Sequence, residues 1–345
     1  MTREVIQLEP TLDPHVFFQR EYEAVTPALP FDADNSDDAI AWQKKARARL
    51  KKLLGDLPMP TGPVRSRVLE ERTFPGYKRT KLELETQPGL LAIAYYLVPD
   101  DRPKKTPAVL AVPGHSKSVD ELVGGVDGKG DPLDYALQCC RAGLPTLAME
   151  QLGFGERRHE EAIKANPEGG AYCIVPSGAA LMLGRNLTGY RVLDAQRALD
   201  WLSEQAEVDP NRLGMTGISG GGLTTFFTTA IDTRIKSCLV SGYFNTFRDS
   251  VYSIYHCTDN FVPGILQWFE MPDMVGMIVP RRAYFMQGDE DPIFPIAGFK
   301  QAVRKADEIY DLYGVQSRMV AEVFHGKHEW KGEKGVPWLA EALRG

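Results

Sequence analysis

A serine in the pattern Gly-x-Ser-x-Gly is the strongest candidate for a catalytic residue in the sequence. Ser219 occupies this pattern at residues 217–221, between a predicted strand (212–215) and a predicted helix (223–230). A sharp strand-to-helix turn would expose its hydroxyl as a nucleophile, and glycine at 217 and 221 leaves room for the crowded backbone. The N–H of Gly220 would then point to a developing oxyanion. The alternative is a glycine-rich turn that simply opens a helix.

A nucleophilic serine needs a base, and the base needs a carboxylate to orient it. Residues 289–291 (Asp-Glu-Asp) follow an apolar run predicted as a strand. Catalytic groups collect in loops at such strand ends. We favour Asp291 as the acid, because Pro292 stiffens the turn beside it, while Asp289 and Glu290 are expected to face solvent.

The base is predicted in the loop after the last apolar run. That run ends at residue 324 and is followed by two histidines, His325 and His328. His328 is favoured because it lies farther along the loop, past a glycine, and can reach over the sheet edge. His325 stays as the alternative.

A metal site is the rival interpretation of His325, His328 and Glu329. Zincin sites use His-Glu-x-x-His on a helix, and neither this order nor this context matches. We therefore predict no metal and no cofactor. The second oxyanion donor is expected from the loop after residues 109–112, where the N–H of His115 is favoured and Ser116 is next.

The composition is typical of a globular protein. The 345 residues are 43% hydrophobic and 25% charged, as in globular proteins, and the net charge of −6 argues against nucleic-acid or anionic-membrane partners. From the lack of long apolar runs we expect no secretory signal and no membrane span. Five cysteines, an odd number with two adjacent and three scattered, do not suggest a disulfide framework, so we expect free thiols and a cytoplasmic location. A small-molecule substrate is expected, and a homo-oligomer is left open.

The hydrophobic patterns predict an α/β fold with a mainly parallel sheet and helices on both faces. Residues 1–35 are predicted as an irregular arm, followed by a helix from Ser36, as its cap, to about residue 54. Strands are predicted at 68–73, 81–86, 91–98, 109–112, 145–149, 212–216, 235–240, 282–286 and 318–324, with helices at 133–141, 187–205, 296–312 and 338–343.

We predict an N-terminal arm and helix (1–62) packed on a main domain (63–345). Two long stretches, 155–186 and 242–281, interrupt the β–α alternation of that domain. The second is rich in aromatic residues and is interpreted as a cap over the active-site face. Tyr255, His256 and Trp268 are its candidate pocket residues, although core packing would equally explain each aromatic ring.

With these residues placed, the chain resembles the acetyl xylan esterase-like branch of the α/β-hydrolase superfamily, near dienelactone-hydrolase-type enzymes. The similarity runs from about residue 42 to residue 330. It rests on Pro-Gly-His at 113–115, Gly-Phe-Gly-Glu-Arg at 153–157, the helix at 191–202, Gly-Ile-Ser-Gly-Gly-Gly at 217–222, Asp-Pro-Ile-Phe-Pro at 291–295 and Gly-Lys-His-Glu at 326–329. The resemblance implies an α/β-hydrolase fold, with Ser219, Asp291 and His328 as nucleophile, acid and base, and no metal or organic cofactor.

The chain departs from the acetyl xylan esterase/cephalosporin deacetylase pattern at two places. Residues 152–154 read Leu-Gly-Phe where that pattern has Arg-Gly-Gln, and Gly220 replaces the glutamine after the serine. The expected function is hydrolysis of a carboxylic ester with a short acyl group. Alternatives are the same triad acting on an amide, lactone or carbon–carbon bond, and a binding protein that keeps the hydrolase fold without catalysis.

Overall fold

One nine-stranded sheet forms the centre of the computed structural model, which describes residues 10–116, 118–125, 131–167 and 169–345. The strands are β1 (Ser66–Phe74), β2 (Tyr77–Gln87), β3 (Leu90–Pro99), β4 (Thr106–Val112), β5 (Thr146–Met149), β6 (Val208–Ile218), β7 (Ile235–Ser241), β8 (Arg282–Gly288) and β9 (Met319–Phe324). Each of the nine predicted strands is present in the described part of the chain.

The strand order is β1-β2-β3-β5-β4-β6-β7-β8-β9. The pairs from β5 through β4, β6, β7 and β8 to β9 are parallel, and the pairs β1–β2, β2–β3 and β3–β5 are antiparallel. The predicted, mainly parallel sheet is confirmed. Its antiparallel part is a meander, because two tight turns join β1, β2 and β3 directly.

Helices cover both faces of the sheet, as predicted. They are α1 (Pro14–Ala24), α2 (Ser36–Leu53), α3 (Tyr135–Arg141), α4 (Glu160–Ala165), α5 (Ile174–Met182), α6 (Leu187–Ser203), α7 (Gly220–Ile231), α8 (Ile296–Leu312) and α9 (Gly332–Arg344). The apolar sides of α2, α6, α7 and α8 join one core cluster, and those of α3 and α9 join a second. β4 is buried along its whole length, as expected for a strand covered on both sides.

The N-terminal arm differs from its prediction. A helix, α1, occupies residues that we expected to be irregular, with Asp13 capping it through the N–H of His15 and Pro14 at its first position. α1 buries no side chain completely, which explains its weak hydrophobic pattern. The cap of α2 is Asn35 rather than Ser36, since the Asn35 side chain accepts the N–H groups of residues 37 and 38.

The parallel strands direct the candidate residues to one edge of the sheet. β4, β6, β8 and β9 end at residues 112, 218, 288 and 324. His115, Ser219, Asp291 and His328 lie in the loops that leave these ends. Since the carboxyl ends of neighbouring parallel strands meet at one edge, loops far apart in sequence converge there.

Candidate active site

Ser219 stands at the turn between β6 and α7. Its backbone has φ 58° and ψ −122°, which is rare for a non-glycine residue, and its N–H donates to the carbonyl oxygen of Ser241 at 3.0 Å. A Cβ on Gly217 would lie 2.6 Å from the backbone of Gly221, and one on Gly221 would lie 2.2 Å from the carbonyl oxygen of Val112. The turn therefore needs glycine at both positions.

His328 and Asp291 form a close pair beside this turn. The distance from His328 Nδ1 to Asp291 Oδ2 is 2.7 Å, and Asp291 is 5% exposed. Asp291 Oδ1 accepts the N–H groups of Ile293 and Phe294 at 2.9 and 3.0 Å, and Gln287 Nε2 donates to Oδ2. These contacts fix the orientation of the carboxylate.

The charge of Asp291 is maintained by its partners. Burial would raise the pKa of Asp291, but the hydrogen bond and charge of His328, together with the two backbone N–H groups, hold this pKa below its ordinary value. An ionised Asp291 favours the imidazole tautomer with its proton on Nδ1. His328 Nε2 is buried and has no hydrogen-bond partner among the described residues, so its lone pair is available.

A cavity of about 350 Å³ lies in front of these groups. We call it the Ser219 cavity, and it is lined by Gly114, His115, Ser116, Leu133, Ile218, Ser219, Tyr255, His256, Cys257, Asn260, Ile293, Phe294 and His328. The structure thus brings Ser219 and His328 to one cavity, with Asp291 behind the histidine.

The two candidate oxyanion donors lie on adjacent backbone segments. Gly220 is the first residue of α7, so its N–H has no acceptor within that helix. A Cβ on Gly220 would lie 2.9 Å from the ring of His115, and one on Gly114 would lie 3.3 Å from the Cβ of Ser219. The loop after β4 therefore packs directly against the serine turn.

The three candidate pocket residues have different positions. Tyr255 and His256 line the Ser219 cavity; Tyr255 is 94% exposed, while His256 Nε2 lies 3.0 Å from the carbonyl oxygen of Ile293. Trp268 does not line this cavity. Its ring packs under the guanidinium of Arg49 on α2 at 3.5 Å, and its carbonyl oxygen accepts the N–H of Leu29. Trp268 therefore holds the N-terminal segment rather than a ligand in this cavity.

The alternative acid and base form a second, outer pair. His325 Nδ1 lies 3.3 Å from Asp289 Oδ1, and the two side chains are 81% and 41% exposed. Neither residue lines the Ser219 cavity. This pair is a surface contact in the same two loops that carry Asp291 and His328.

Comparisons with known proteins agree with this architecture. The model of the Abhydrolase family matches residues 15–311, most of the chain. The chain belongs to the Abhydrolase family. This membership and the observed sheet confirm the predicted α/β-hydrolase fold.

Three known proteins are similar to this chain over most of their length. A candidate hydrolase of Bacillus subtilis (strain 168), YtaP, is 27% identical over 277 residues, which cover 76% of this chain and 86% of YtaP. A candidate acetyl xylan esterase from Bacteroides fragilis NCTC 9343 has a similar structure, with a TM-score of 0.84, 18% identity and coverage of 99% and 97%. A glucuronoyl esterase from Solibacter usitatus has a TM-score of 0.64, 14% identity and coverage of 94% and 100%.

A polar cluster that the sequence patterns did not predict lies at the wall of the Ser219 cavity. Arg191 and Asp259, whose side chains are completely buried, form an ion pair, and His115 Nε2 lies 3.0 Å from Asp259 Oδ2. Cys173 and Cys257 complete this group, which we call the His115 cluster. Its members lie on four separate loops and helices, so no sequence motif connects them.

The His115 cluster contains potential metal ligands. One atom each from His115, Cys173, Cys257 and Asp259 lies within 4.8 Å of the other three, a donor set that would suit zinc. Arg191 competes for the same atoms, because its guanidinium donates to Asp259 Oδ2 and to Cys173 Sγ. A cation at this point would face the guanidinium charge directly.

Proposed function

We propose that this abhydrolase is a serine esterase in which Ser219, His328 and Asp291 act as nucleophile, base and acid. The observation that carries the proposal is the pair of buried Asp291 and half-buried His328. The Nε2 atom of this histidine has no partner among the described residues, and His328 lines the same cavity as Ser219. The structural neighbours share the fold of this chain, and their esterase names support the same chemistry.

The first half of the reaction acylates the serine. Ser219 Oγ attacks the ester carbonyl carbon while His328 Nε2 takes its proton. The carbonyl oxygen becomes negative and accepts the N–H groups of Gly220 and His115. The intermediate collapses, His328 returns the proton to the leaving alcohol, and the acyl group stays on Ser219.

The second half repeats this chemistry with water. His328 takes a proton from water, which attacks the acyl-enzyme, and the acid product leaves. In both halves His328 becomes positively charged, and the ionised Asp291 stabilises that charge. The fixed carboxylate therefore contributes to both transition states and also sets the tautomer of the base.

The proposed substrate is a small-molecule ester with a short acyl group. The Ser219 cavity of about 350 Å³ is near the lower end of the range for small-molecule sites. We propose that hydrolysis takes place in the cytoplasm, since the five cysteines, all in the described part of the chain, are free thiols.

Hydrolysis of p-nitrophenyl esters of increasing acyl length tests the proposal. We expect Ser219→Ala to lower kcat by about 10⁴-fold or more, because the covalent route is lost. Ser203→Ala, at the end of α6 and outside the cavity, is the matched control and should keep wild-type turnover. Turnover should fall steeply beyond short acyl chains.

Two results would contradict parts of this proposal. Wild-type rates in Ser219→Ala would exclude the serine as nucleophile. If no ester is hydrolysed in a serine-dependent reaction, the ester substrate is wrong although the fold assignment stands. The same comparison of wild type and Ser219→Ala is then made with amides and lactones.

A further inference from the structure

The His115 cluster has an anion at its centre. The guanidinium of Arg191 and the Nε2–H of His115 donate to Asp259 Oδ2, and Cys173 Sγ lies 3.7 Å from the same oxygen. Asn260 Nδ2 donates to the other carboxylate oxygen at 2.8 Å. A metal ion would have to displace Arg191 from this oxygen, so the geometry favours a role for the two thiols without a metal.

The two thiols of the cluster differ in access. Cys173 is 3% exposed and lies behind the cavity wall, whereas Cys257 is half-buried and lines the Ser219 cavity. Their sulfur atoms are within 4.8 Å of each other. Small reagents can therefore reach the thiol of Cys257 but not that of Cys173.

The contacts of the cluster place Cys257 beside its proposed partner. Cys257 Sγ lies within 4.8 Å of Cys173 Sγ and of a ring nitrogen of His115. Cys257 and His115 both line the Ser219 cavity, so a small reagent in that cavity can reach this sulfur.

The other cysteines provide an internal contrast. Burial raises the pKa of Cys139 and Cys140 to about 12 and that of Cys238 to about 11. All three are thiols at neutral pH and lie inside the protein core. Reaction with thiol reagents should therefore distinguish Cys257 from these three residues.

We propose that Cys257 is an oxidation site in the wall of the Ser219 cavity, and that Cys173 is its partner in a reversible disulfide that inhibits hydrolysis. The inhibition rests on the proposed esterase function. The oxidation itself does not, because it depends only on the two thiols and their surroundings.

The oxidant is a hydroperoxide. The Cys257 thiolate attacks its terminal oxygen, the O–O bond breaks, and the products are a sulfenic acid and an alcohol after the released alkoxide takes a proton. Cys173, giving up its proton, attacks the sulfenic sulfur and releases water. Two thiols and one hydroperoxide thus become one disulfide, one alcohol and one water.

The disulfide would change the oxyanion side of the cavity. A bond of about 2.05 Å draws Cys257 Sγ toward Cys173 Sγ and ends its pairing with the ring of His115. The ring of His115 lies against Gly220, and the N–H groups of these two residues are the proposed oxyanion donors. Loss of this pairing displaces one donor, so turnover should fall at least tenfold in the oxidised protein.

The chemical part of the proposal is tested without any substrate. We expect iodoacetamide at pH 6.5 to label Cys257 at least tenfold faster than Cys139, Cys140 and Cys238, as measured by peptide mass spectrometry. Treatment with tert-butyl hydroperoxide should remove two hydrogen atoms from the intact mass and link the peptides of Cys173 and Cys257. Equal labelling of all cysteines, or a full complement of free thiols after oxidation, would overturn the proposal.

Two variants separate the roles of the thiols. In Cys257→Ser, the ratio of oxidised to reduced activity should be near one. In Cys173→Ser, oxidation should proceed to the sulfinic acid, adding two oxygen atoms, and dithiothreitol should not restore activity, although it restores the wild type. Full disulfide formation with unchanged wild-type turnover would overturn the inhibitory role.

A metal measurement completes the test. Elemental analysis of the purified protein should find no stoichiometric zinc, and labelling of Cys257 should not change on chelator treatment. One bound metal ion per chain, with Cys257 reactive only after chelation, would overturn the thiol proposal and assign the cluster to a metal. If reduced wild-type protein hydrolyses no ester, the esterase proposal fails while the mass results stand.

Discussion

The backbone conformation of Ser219 exposes the proposed nucleophile. Its positive φ is unfavourable for a side chain with a Cβ, and it is maintained by the strand and helix on either side. The same turn allows no Cβ on its flanking glycines. The turn therefore determines the two glycines at 217 and 221, whereas only the proposed reaction explains a serine at 219.

Replacing a glycine of this turn should cost stability. In Gly221→Ala, the new Cβ would meet the carbonyl oxygens of Val112 and Pro113 at 2.2 and 2.9 Å. We expect the free energy of unfolding in urea to fall by about 1–3 kcal/mol. Gly178→Ala in α5 is the control: its Cβ meets no atom within 4 Å, and helix propensity predicts a gain of about 0.5–1 kcal/mol. Equal effects would contradict this explanation.

The two carboxylate–histidine pairs allow a matched test of the acid. Asp291→Asn should lower kcat by about 10⁴-fold, since an amide at this position favours the wrong tautomer of His328. Asp289→Asn, in the exposed pair, should change kcat by less than threefold. Steady-state kinetics on one short ester compares the variants. A large loss of kcat in Asp289→Asn, with normal kcat in Asp291→Asn, would identify Asp289 instead of Asp291 as the acid.

Ser219, Asp291 and His328 could be proposed as a group from the sequence because each follows a recognisable apolar strand. Such local patterns identify the loop that carries a residue. They could not locate Asp259 or Arg191, since these residues act through contacts between segments far apart in the chain. The position of Trp268 outside the Ser219 cavity has the same origin, because an aromatic side chain suits a pocket and an interior contact equally well.

At the scale of elements, α2 connects the N-terminal segment to the long stretch after β7. Trp42 on α2 lies edge to face with Phe31, with ring centroids 5.0 Å apart, and Gly276 packs against both rings. Gln43 Nε2 donates to the carbonyl oxygens of Gly276 and Val279 at 2.8 and 2.7 Å. The helix therefore fixes the end of the segment at 242–281.

Removal of the Trp42 ring should destabilise this connection. Trp42 is 7% exposed, and Trp42→Ala is expected to lower the free energy of unfolding by about 3–5 kcal/mol. Ile40→Ala on the exposed side of the same helix (58% exposed) should change it by less than about 0.5 kcal/mol. Urea denaturation followed by circular dichroism measures both. Similar values for the two variants would contradict the packing role of Trp42.

The strands and long helices were predictable because burial imposes a strong hydrophobic pattern on them. α1 was missed since it buries no side chain completely, and the start of α9 was predicted six residues too late because Pro337 lies inside it. The cap of α2 was assigned one residue late, as Asn35 and Ser36 are both good capping residues. Which of two adjacent capping residues accepts the free N–H groups of a helix depends on the backbone conformation, which the sequence pattern does not show.

At the scale of the whole molecule, one continuous sheet runs from the antiparallel meander to β9 and brings four distant loops together. The Ser219 cavity uses residues from 114 to 328, so its geometry depends on the entire parallel part of the sheet. In the described part of the chain, no helix combines the length and apolar character needed to cross a membrane. The division of the chain near residue 62 stays a prediction.

Covalent trapping shows which residue is the nucleophile. The folded protein is treated with p-nitrophenyl diethyl phosphate, and the adduct is located by intact-mass and peptide mass spectrometry. We predict one diethylphosphoryl group per chain on Ser219, none in Ser219→Ala, and much slower labelling in Asp291→Asn. Labelling of another residue, or no labelling of folded protein that hydrolyses esters, would contradict the proposed role of Ser219.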